Sequence, residues 1–291
     1  MIKPSAILFH THIISNDILK EFQNISSESE GIADAYLLCD DKNIDITKKV
    51  KKYRYFCFNK EGISDLNYPI VKDEKRKAEV PFKKAFQLSN YQLSILKFFL
   101  ENRDYDYYWY IEYDVRYSGK WSQFFKYFNN NDSDLITSYL RYYKEEPRWP
   151  HWYLNHPELT IPESERIRSF NPVMRISNKA LTYLHESFLD GWIGHLEVLI
   201  PTLLHKNGFE LEDFGGSGKF CQNRNINKIY IGSENNEFGN LDHGTMRYRP
   251  HPIYLGLRKN KLYHPVKPAK DTVKYFLNRF NRLLMKIIRR F

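Results

Sequence analysis

The chain has 291 residues, 42% hydrophobic and 16% aromatic, enough apolar side chain for one large domain with an appendage and too much for wholesale disorder. Its three cysteines (Cys39, Cys57, Cys221) are odd in number and lack metal-ligand spacing, and two sit in apolar strand-like runs, as buried reduced thiols of a cytosolic protein would. The formal charge of +9 invites a nucleic-acid partner, but residues 258–291 alone carry +10 and leave the body near −1, which argues against one.

In chain order, "SAILFHTH" (5–12) reads as a strand and is followed by a helix near 15–26. "ADAYLLCD" (33–40) and "YRYFCFN" (53–59) read as further strands, and 84–102 as an amphipathic helix. The aromatic run of "YDYYWYIEYDVRYSG" (105–119) makes the next strand, over 105–111, and ends it on two carboxylates, Glu112 and Asp114. Strands separated by helices predict a mainly parallel sheet, whose ligands bind beyond the carboxyl ends of the strands. His10, Thr11 and His12 after the first strand, Asp40 and Asp41 after the second, and the Glu112/Asp114 pair should all reach that edge.

After residue 120 the pattern loosens. A strand over 133–143 runs into an aromatic loop, 144–158, that carries Trp149, Trp152 and Tyr153. A strand–helix unit spans 169–188 with its cap near Ser177 or Asn178, and a helix within 191–208 stops at Gly208. Residues 215–257, rich in Gly, Asn and His, are expected to be irregular. The terminal "DTVKYFLNRFNRLLMKIIRRF" (271–291) has apolar residues at helical spacing and basic residues on the other faces. It could pack on its own domain, dimerise or lie on a membrane; six cations with no acid after Asp271 favour an anionic lipid surface. No stretch of 18 apolar residues is present, and the N-terminal apolar run is too short for a secretory signal.

Three constellations could carry chemistry. Carboxylates at x and x+2 on the end of a buried strand suit a hard divalent cation that bridges a diphosphate, although acidic pairs in loops are common without one. His195 and Glu197 interrupt an otherwise apolar run from Trp192 to Leu204. Glu197 is either a favourable first-turn acid of a helix or a general base in partly apolar surroundings, with His195 beside it to orient it or contact substrate. In "NLDHGTMRYRPHP" (240–252), His243 could complete a metal site with Asp114, and Arg247 and Arg249 could take phosphate oxygens; the same loop could equally be a solvated basic one. No P-loop, dinucleotide fingerprint, nucleophile elbow or H-E-x-x-H is present, which disfavours P-loop hydrolases, dinucleotide dehydrogenases and serine hydrolases.

The order of an α/β first half, "YWYIEYDVRYSGKW", "FNPVMRISNKAL" and "GWIGHLEVLIPTLLHKNGFELEDFGG" resembles the GT-A glycosyltransferases, in particular bacterial enzymes of lipopolysaccharide or capsule assembly, over residues 5–255. The resemblance implies a Rossmann-like, mixed and mainly parallel sheet flanked by helices. Residues 1–119 would then hold the nucleotide-sugar, 120–257 the acceptor, and 258–291 would be a basic amphipathic tail. It implies Mn²⁺ or Mg²⁺ on Asp114, Glu112 and His243, with Glu in place of the first Asp of the D-x-D motif. It also implies a nucleotide-sugar donor, UDP-linked by expectation, touched by Thr11, His12, Asp40, Glu112, Arg247 and Arg249. Glu197 maps onto the family's base, which makes the reaction inverting. Trp149, Trp152, Tyr153 and His195 would meet a saccharide or lipid-linked saccharide acceptor, at the inner face of the cell membrane. A sugar nucleotidyltransferase and a non-catalytic glycan-binding protein at a membrane surface are the alternative readings.

Overall fold

A computed structural model describes residues 4–40, 48–58, 66, 68, 71–73, 78–80, 93–233, 237–248, 258–267 and 277. Strand β1 (Ser5–Thr11) leads into helix α1 (Asn16–Glu28), capped by the Ser15 hydroxyl, which accepts from the Ile18 N–H. Strands β2 (Asp34–Asp40) and β3 (Tyr55–Phe58) follow, then an antiparallel pair, β4 (Val71–Asp73) and β5 (Ala78–Val80). Next come α2 (Leu93–Glu101), β6 (Tyr107–Glu112), β7 (Arg116–Tyr117), α3 (Trp121–Phe128) and β8 (Leu135–Tyr142). The second half holds β9 (Leu154–Asn155), β10 (Ile167–Ser177), α4 (Asn178–Asp190) and β11 (Ile193–Gly194). It continues with α5 (Leu196–Lys206), β12 (Leu211–Asp213) and β13 (Leu262–Tyr263).

Seven strands form the central sheet in the order β12-β8-β10-β6-β1-β2-β3. β6, β1, β2 and β3 run parallel, β10 is antiparallel to both β6 and β8, and β12 is parallel to β8. A mixed, mainly parallel sheet with helices on both faces is therefore the architecture, as the alternation of elements predicts. The aromatic run is explained by double burial. Tyr108 and Tyr110 of β6 join one core layer, with Ala6 and Leu8 of β1 and residues of α2, α4 and α5. Trp109 and Ile111 point to the other, with Ile7, Phe9, Phe22 of α1 and Phe124 of α3. A strand buried on both faces reads as one continuous apolar run rather than an alternation.

Three departures from the sequence reading matter for the site. The helix expected within 191–208 begins only at Leu196, because Ile193–Gly194 pair with Leu154–Asn155 and Gly194 lies against the Tyr153 carbonyl, where a Cβ would clash. The boundary expected at 257/258 does not divide the protein there: Leu262–Tyr263 pair with β7, and the Val266 N–H donates to the Asp114 carbonyl at 2.7 Å. Residues 258–267 thus belong to the body. Helix α3 was not anticipated; its Phe124, Phe125 and Phe128 pack on Trp109 of β6, and Trp121 is buried against Phe124 and Phe125. The tail expected over 271–291 lies outside the described residues apart from Leu277. Among the described residues no helix is long and apolar enough to cross a membrane.

Candidate active site

β6 carries Glu112 to the carboxyl edge of the sheet, beside His10 of β1, and the turn after it buries Asp114 to 2% exposure. β13, paired with β7, brings His264 to the same place. Its Nε2 lies 3.5 Å from Glu112 Oε2 and 3.6 Å from Asp114 Oδ1. The imidazole is fixed from behind, its Nδ1 hydrogen-bonded to the Arg247 carbonyl at 2.9 Å, which aims Nε2 at the carboxylates. Ligand-type atoms of Glu112, Asp114 and His264 fall within 4.8 Å of one another, the one such group among the described residues. Asp114 Oδ1 is fully buried without a hydrogen bond. Two carboxylates and one imidazole, with an orphaned carboxylate oxygen between them, fit a hard or borderline divalent cation.

Lys267 supplies a further cation, its ammonium donating to Asp114 Oδ2 and, at 2.8 Å, to the Tyr113 hydroxyl. Burial alone would raise the Asp114 carboxyl, but His264 and Lys267 hold it below its ordinary value. Burial opposes the charged forms of His264 and Lys267, and the carboxylate partners nevertheless raise both. The cluster is thus a compensated set of two acids and two bases in a poorly hydrated place.

Glu197 sits in the first turn of α5 with 13% of its side chain exposed. Burial pushes its carboxyl up to about 7; Arg168 opposes this and Glu112 adds to it. The Asn171 N–H, in a bulge of β10, hydrogen-bonds the carboxylate, and His264 is near enough to stabilise its charge. The carboxyl therefore lies within electrostatic range of Glu112 and His264. His195 Nδ1 lies 3.8 Å from Glu197 Oε2. Burial, with His151 and Arg168 adding to it, depresses His195 to about 3, so its imidazole is neutral. His151 stacks on it at 5.1 Å and 22°, and Trp149 meets its edge at 5.4 Å.

Arg168, fully buried, braces this side. It pairs with buried Glu146 at 2.9 Å, donates to the Gly239 carbonyl and the Tyr248 hydroxyl, and lies 3.9 Å over the Trp149 ring.

The other expected site residues are distributed as follows. His243 is exposed on the far side of the Gly244 turn (φ +78°), its carbonyl accepting from the Ser233 hydroxyl, so the histidine of the cluster is His264 instead. Trp149 and Trp152 are 4% and 5% exposed. Their indoles are spent on Arg168, on each other and on the Glu146 carbonyl, so they do not offer faces to an acceptor. Tyr153 is half-buried, and its carbonyl accepts from the His195 N–H. Thr11 uses its hydroxyl in the turn at Ile13, while exposed His12 meets the Tyr113 ring edge-on at 5.0 Å. Asp40 closes β2; Asp41 and Arg249 lie outside the described residues. Arg247 backs His264 through its main chain, donating its N–H to the His264 carbonyl at 3.0 Å. His264 and Lys267 were missed in the sequence because they were counted into the basic tail. The signal was "LYHPVKP", a short strand followed by a His and a Lys bracketed by prolines that no helix would contain.

No family model and no curated protein matches the chain. Among solved structures it is similar to 4-diphosphocytidyl-2C-methyl-D-erythritol synthase from Anaerococcus prevotii (9% identity, TM-score 0.43, covering 77% of this chain and 91% of the other). The galactosyltransferase LgtC in complex with donor and acceptor sugar analogues is similar at 12% identity and TM-score 0.41, over 72% of this chain and 73% of that one. Mouse xyloside xylosyltransferase 1 is similar at 12% and 0.39, over 73% and 85%. At these values the likeness is one of strand arrangement and transfers no residue's role.

Proposed function

We propose that the protein is a glycosyltransferase that moves a sugar from a nucleotide-sugar donor to a hydroxyl of a saccharide acceptor, with inversion at the anomeric carbon. The observation that carries this reading is the Glu197 carboxyl, raised to about 7 within electrostatic range of the Glu112/Asp114/His264 cluster. A base poised near neutrality beside a cation-type site is what attack by a sugar hydroxyl needs. A nucleotidyl transfer uses a phosphate oxygen that is already ionised, and would leave Glu197 without a task.

Glu112, Asp114 and His264 would hold Mn²⁺ or Mg²⁺. Such a cation, when bound, neutralises charge on the leaving diphosphate. Lys267, released from Asp114, is long enough to take a diphosphate oxygen, and His12 with Tyr113 lies on the edge where the nucleoside would rest. Glu197 accepts the proton of the acceptor hydroxyl as its oxygen bonds to the anomeric carbon. The bond from that carbon to the diphosphate oxygen breaks, and the electron pair leaves with the nucleoside diphosphate. The Asn171 N–H and the Arg168 charge keep Glu197 from being neutral at all working pH values. A lipid-linked acceptor at a membrane surface, met by the basic 271–291 segment, extends this reading to cell-surface glycan assembly.

The test is a thermal-shift series with UDP, GDP and CMP, with and without Mn²⁺, followed by turnover on a donor panel. Metal-dependent stabilisation by one nucleotide, and release of that nucleotide from its sugar donor, are expected. Equal stabilisation in excess EDTA, or no nucleotide response, removes the proposal.

A further inference from the structure

The rings that border Glu197 divide into a buried layer and an exposed lip, and the lip says what the site accepts. Trp149, expected to stack on sugar, lies beneath as a floor. It touches His151 at 5.2 Å and His195 at 5.4 Å, carries Arg168 on its face, and neighbours the Tyr248 hydroxyl as a hydrogen-bond partner. Two rings stand above this floor and reach solvent. His151 is exposed and stacked on His195, whose Nδ1 is 3.8 Å from Glu197. Tyr248 is 42% exposed, its hydroxyl pinned by Arg168 at 2.8 Å, and its ring meets Phe170, which in turn meets His264. One ring therefore approaches Glu197 from the His195 side and the other from the Arg168 side.

We propose that His151 and Tyr248 are the two walls of the acceptor subsite, and that the subsite takes an uncharged pyranose. The inference rests on the transferase reading above. An attacking hydroxyl has to lie between Glu197 and the metal cluster, so the ring that bears it must lean on what borders Glu197 and is open to solvent. Both walls offer apolar faces, against which the C–H face of a pyranose packs. Both are held before any ligand arrives, one by stacking and one by a hydrogen bond, so little ordering is left for binding. His151, like His195, is depressed by burial and by Arg168, which makes the wall neutral. Two described cations beside it are engaged: Arg168 with Glu146, Gly239 and Tyr248, and Arg148 with Glu237 and the Phe238 ring. Among the described residues, a sugar carboxylate or phosphate here would meet the Glu197 carboxylate while Arg168 is already paired with Glu146, at a cost that selects against acidic acceptors.

Saturation-transfer NMR on the full chain with diamagnetic Mg²⁺ and UDP tests this. The probes are methyl glycosides of glucose, galactose, mannose and N-acetylglucosamine, against methyl glucuronide and galacturonide. A neutral glycoside should receive saturation while the uronides do not. His151→Ala and Tyr248→Ala should each weaken its binding roughly 5–10-fold, with the UDP signal unchanged and His151→Phe retaining binding. Uronides that bind equally well, variants that bind undiminished, or UDP saturation with none for any glycoside would overturn the proposal. Absence of UDP saturation in the wild type would instead remove the transferase reading on which it stands.

Discussion

His264 Nε2 lies 3.6 Å from Asp114 Oδ1, an atom that is fully buried and makes no hydrogen bond. Asp114 follows β6 and His264 follows β13, far apart in the chain, and the pairing of Leu262–Tyr263 with Arg116–Tyr117, with the Val266 N–H on the Asp114 carbonyl, brings them together. If the cluster holds a divalent cation, His264→Ala should weaken Mn²⁺ binding by more than ~10-fold. It should also abolish the Mn²⁺-dependent part of the UDP thermal shift. His243→Ala, on the exposed turn, should leave both intact. Titration of Mn²⁺ by calorimetry, variant against wild type, distinguishes them, and equal affinities would remove His264 from the metal site.

Glu197→Gln keeps the shape and the Asn171 hydrogen-bond geometry and removes the base. Turnover should fall ~10²–10⁴-fold while donor affinity holds. In the wild type, activity should rise with pH as Glu197 ionises, with an apparent pKa at or below about 7 because a bound dication favours the carboxylate. His195, neutral down to about 3, contributes no limb above that. A kcat profile that is flat from pH 5 to 8 would discard the base assignment.

The same carboxyl makes a stability prediction of opposite sense. Its folded value, about 7, stands above its ordinary 4.5 because burial disfavours the charge. The stability it confers is complete when it is protonated, below about 4.5, and is lost as pH rises through about 7. In EDTA, Glu197→Gln should therefore match the wild type near pH 4.5 and exceed it at pH 8, by at most roughly 3 kcal/mol. Urea melts at the two pH values measure the difference; an equal or lower stability of the variant at pH 8 refutes the desolvation account.

How much of this was legible beforehand follows from what each residue depends on. β6 could be read because double-sided burial leaves a continuous apolar run, and Glu112 and Asp114 stood out as acids closing it. Glu197 stood out for the same reason, a charge inside an apolar helix. His264 could not be assigned because its place is set by pairing β13 with β7 across more than a hundred residues, and no local period encodes that. Counting Lys267 as tail charge hid it for the same reason. Trp149 and Trp152 were misread because a loop has no periodicity to separate inward from outward. Their burial is decided by Arg168, whose guanidinium needs both Glu146 and an aromatic face.

That buried pair predicts a coupling. Arg168 and Glu146 are both fully buried and 2.9 Å apart. Removing one partner leaves an uncompensated charge, so Arg168→Met or Glu146→Leu alone should cost about 3–5 kcal/mol. The double variant should cost less than the sum, since neither charge is then stranded. Additive losses in denaturant melts would mean that the two residues act independently.

The last expectation separates body from tail. Residues 258–267 carry His264 and Lys267 and pair with β7, whereas 271–291 has the spacing and charge of a helix for an anionic surface. A chain ended after Pro268 should therefore fold, bind UDP with Mn²⁺ and act on a soluble acceptor, yet lose affinity for vesicles of anionic lipid. Each cation removed contributes ~1 kcal/mol to that affinity, so the loss should be steepest at low salt. A chain ended after Gly256 loses the cluster's histidine and should lose metal-dependent nucleotide binding as well, whatever its membrane behaviour. Vesicle sedimentation and the UDP thermal shift, measured on both truncations, give four independent readings. Retained vesicle binding after truncation at Pro268 would show that the segment 271–291 does not dock on lipid.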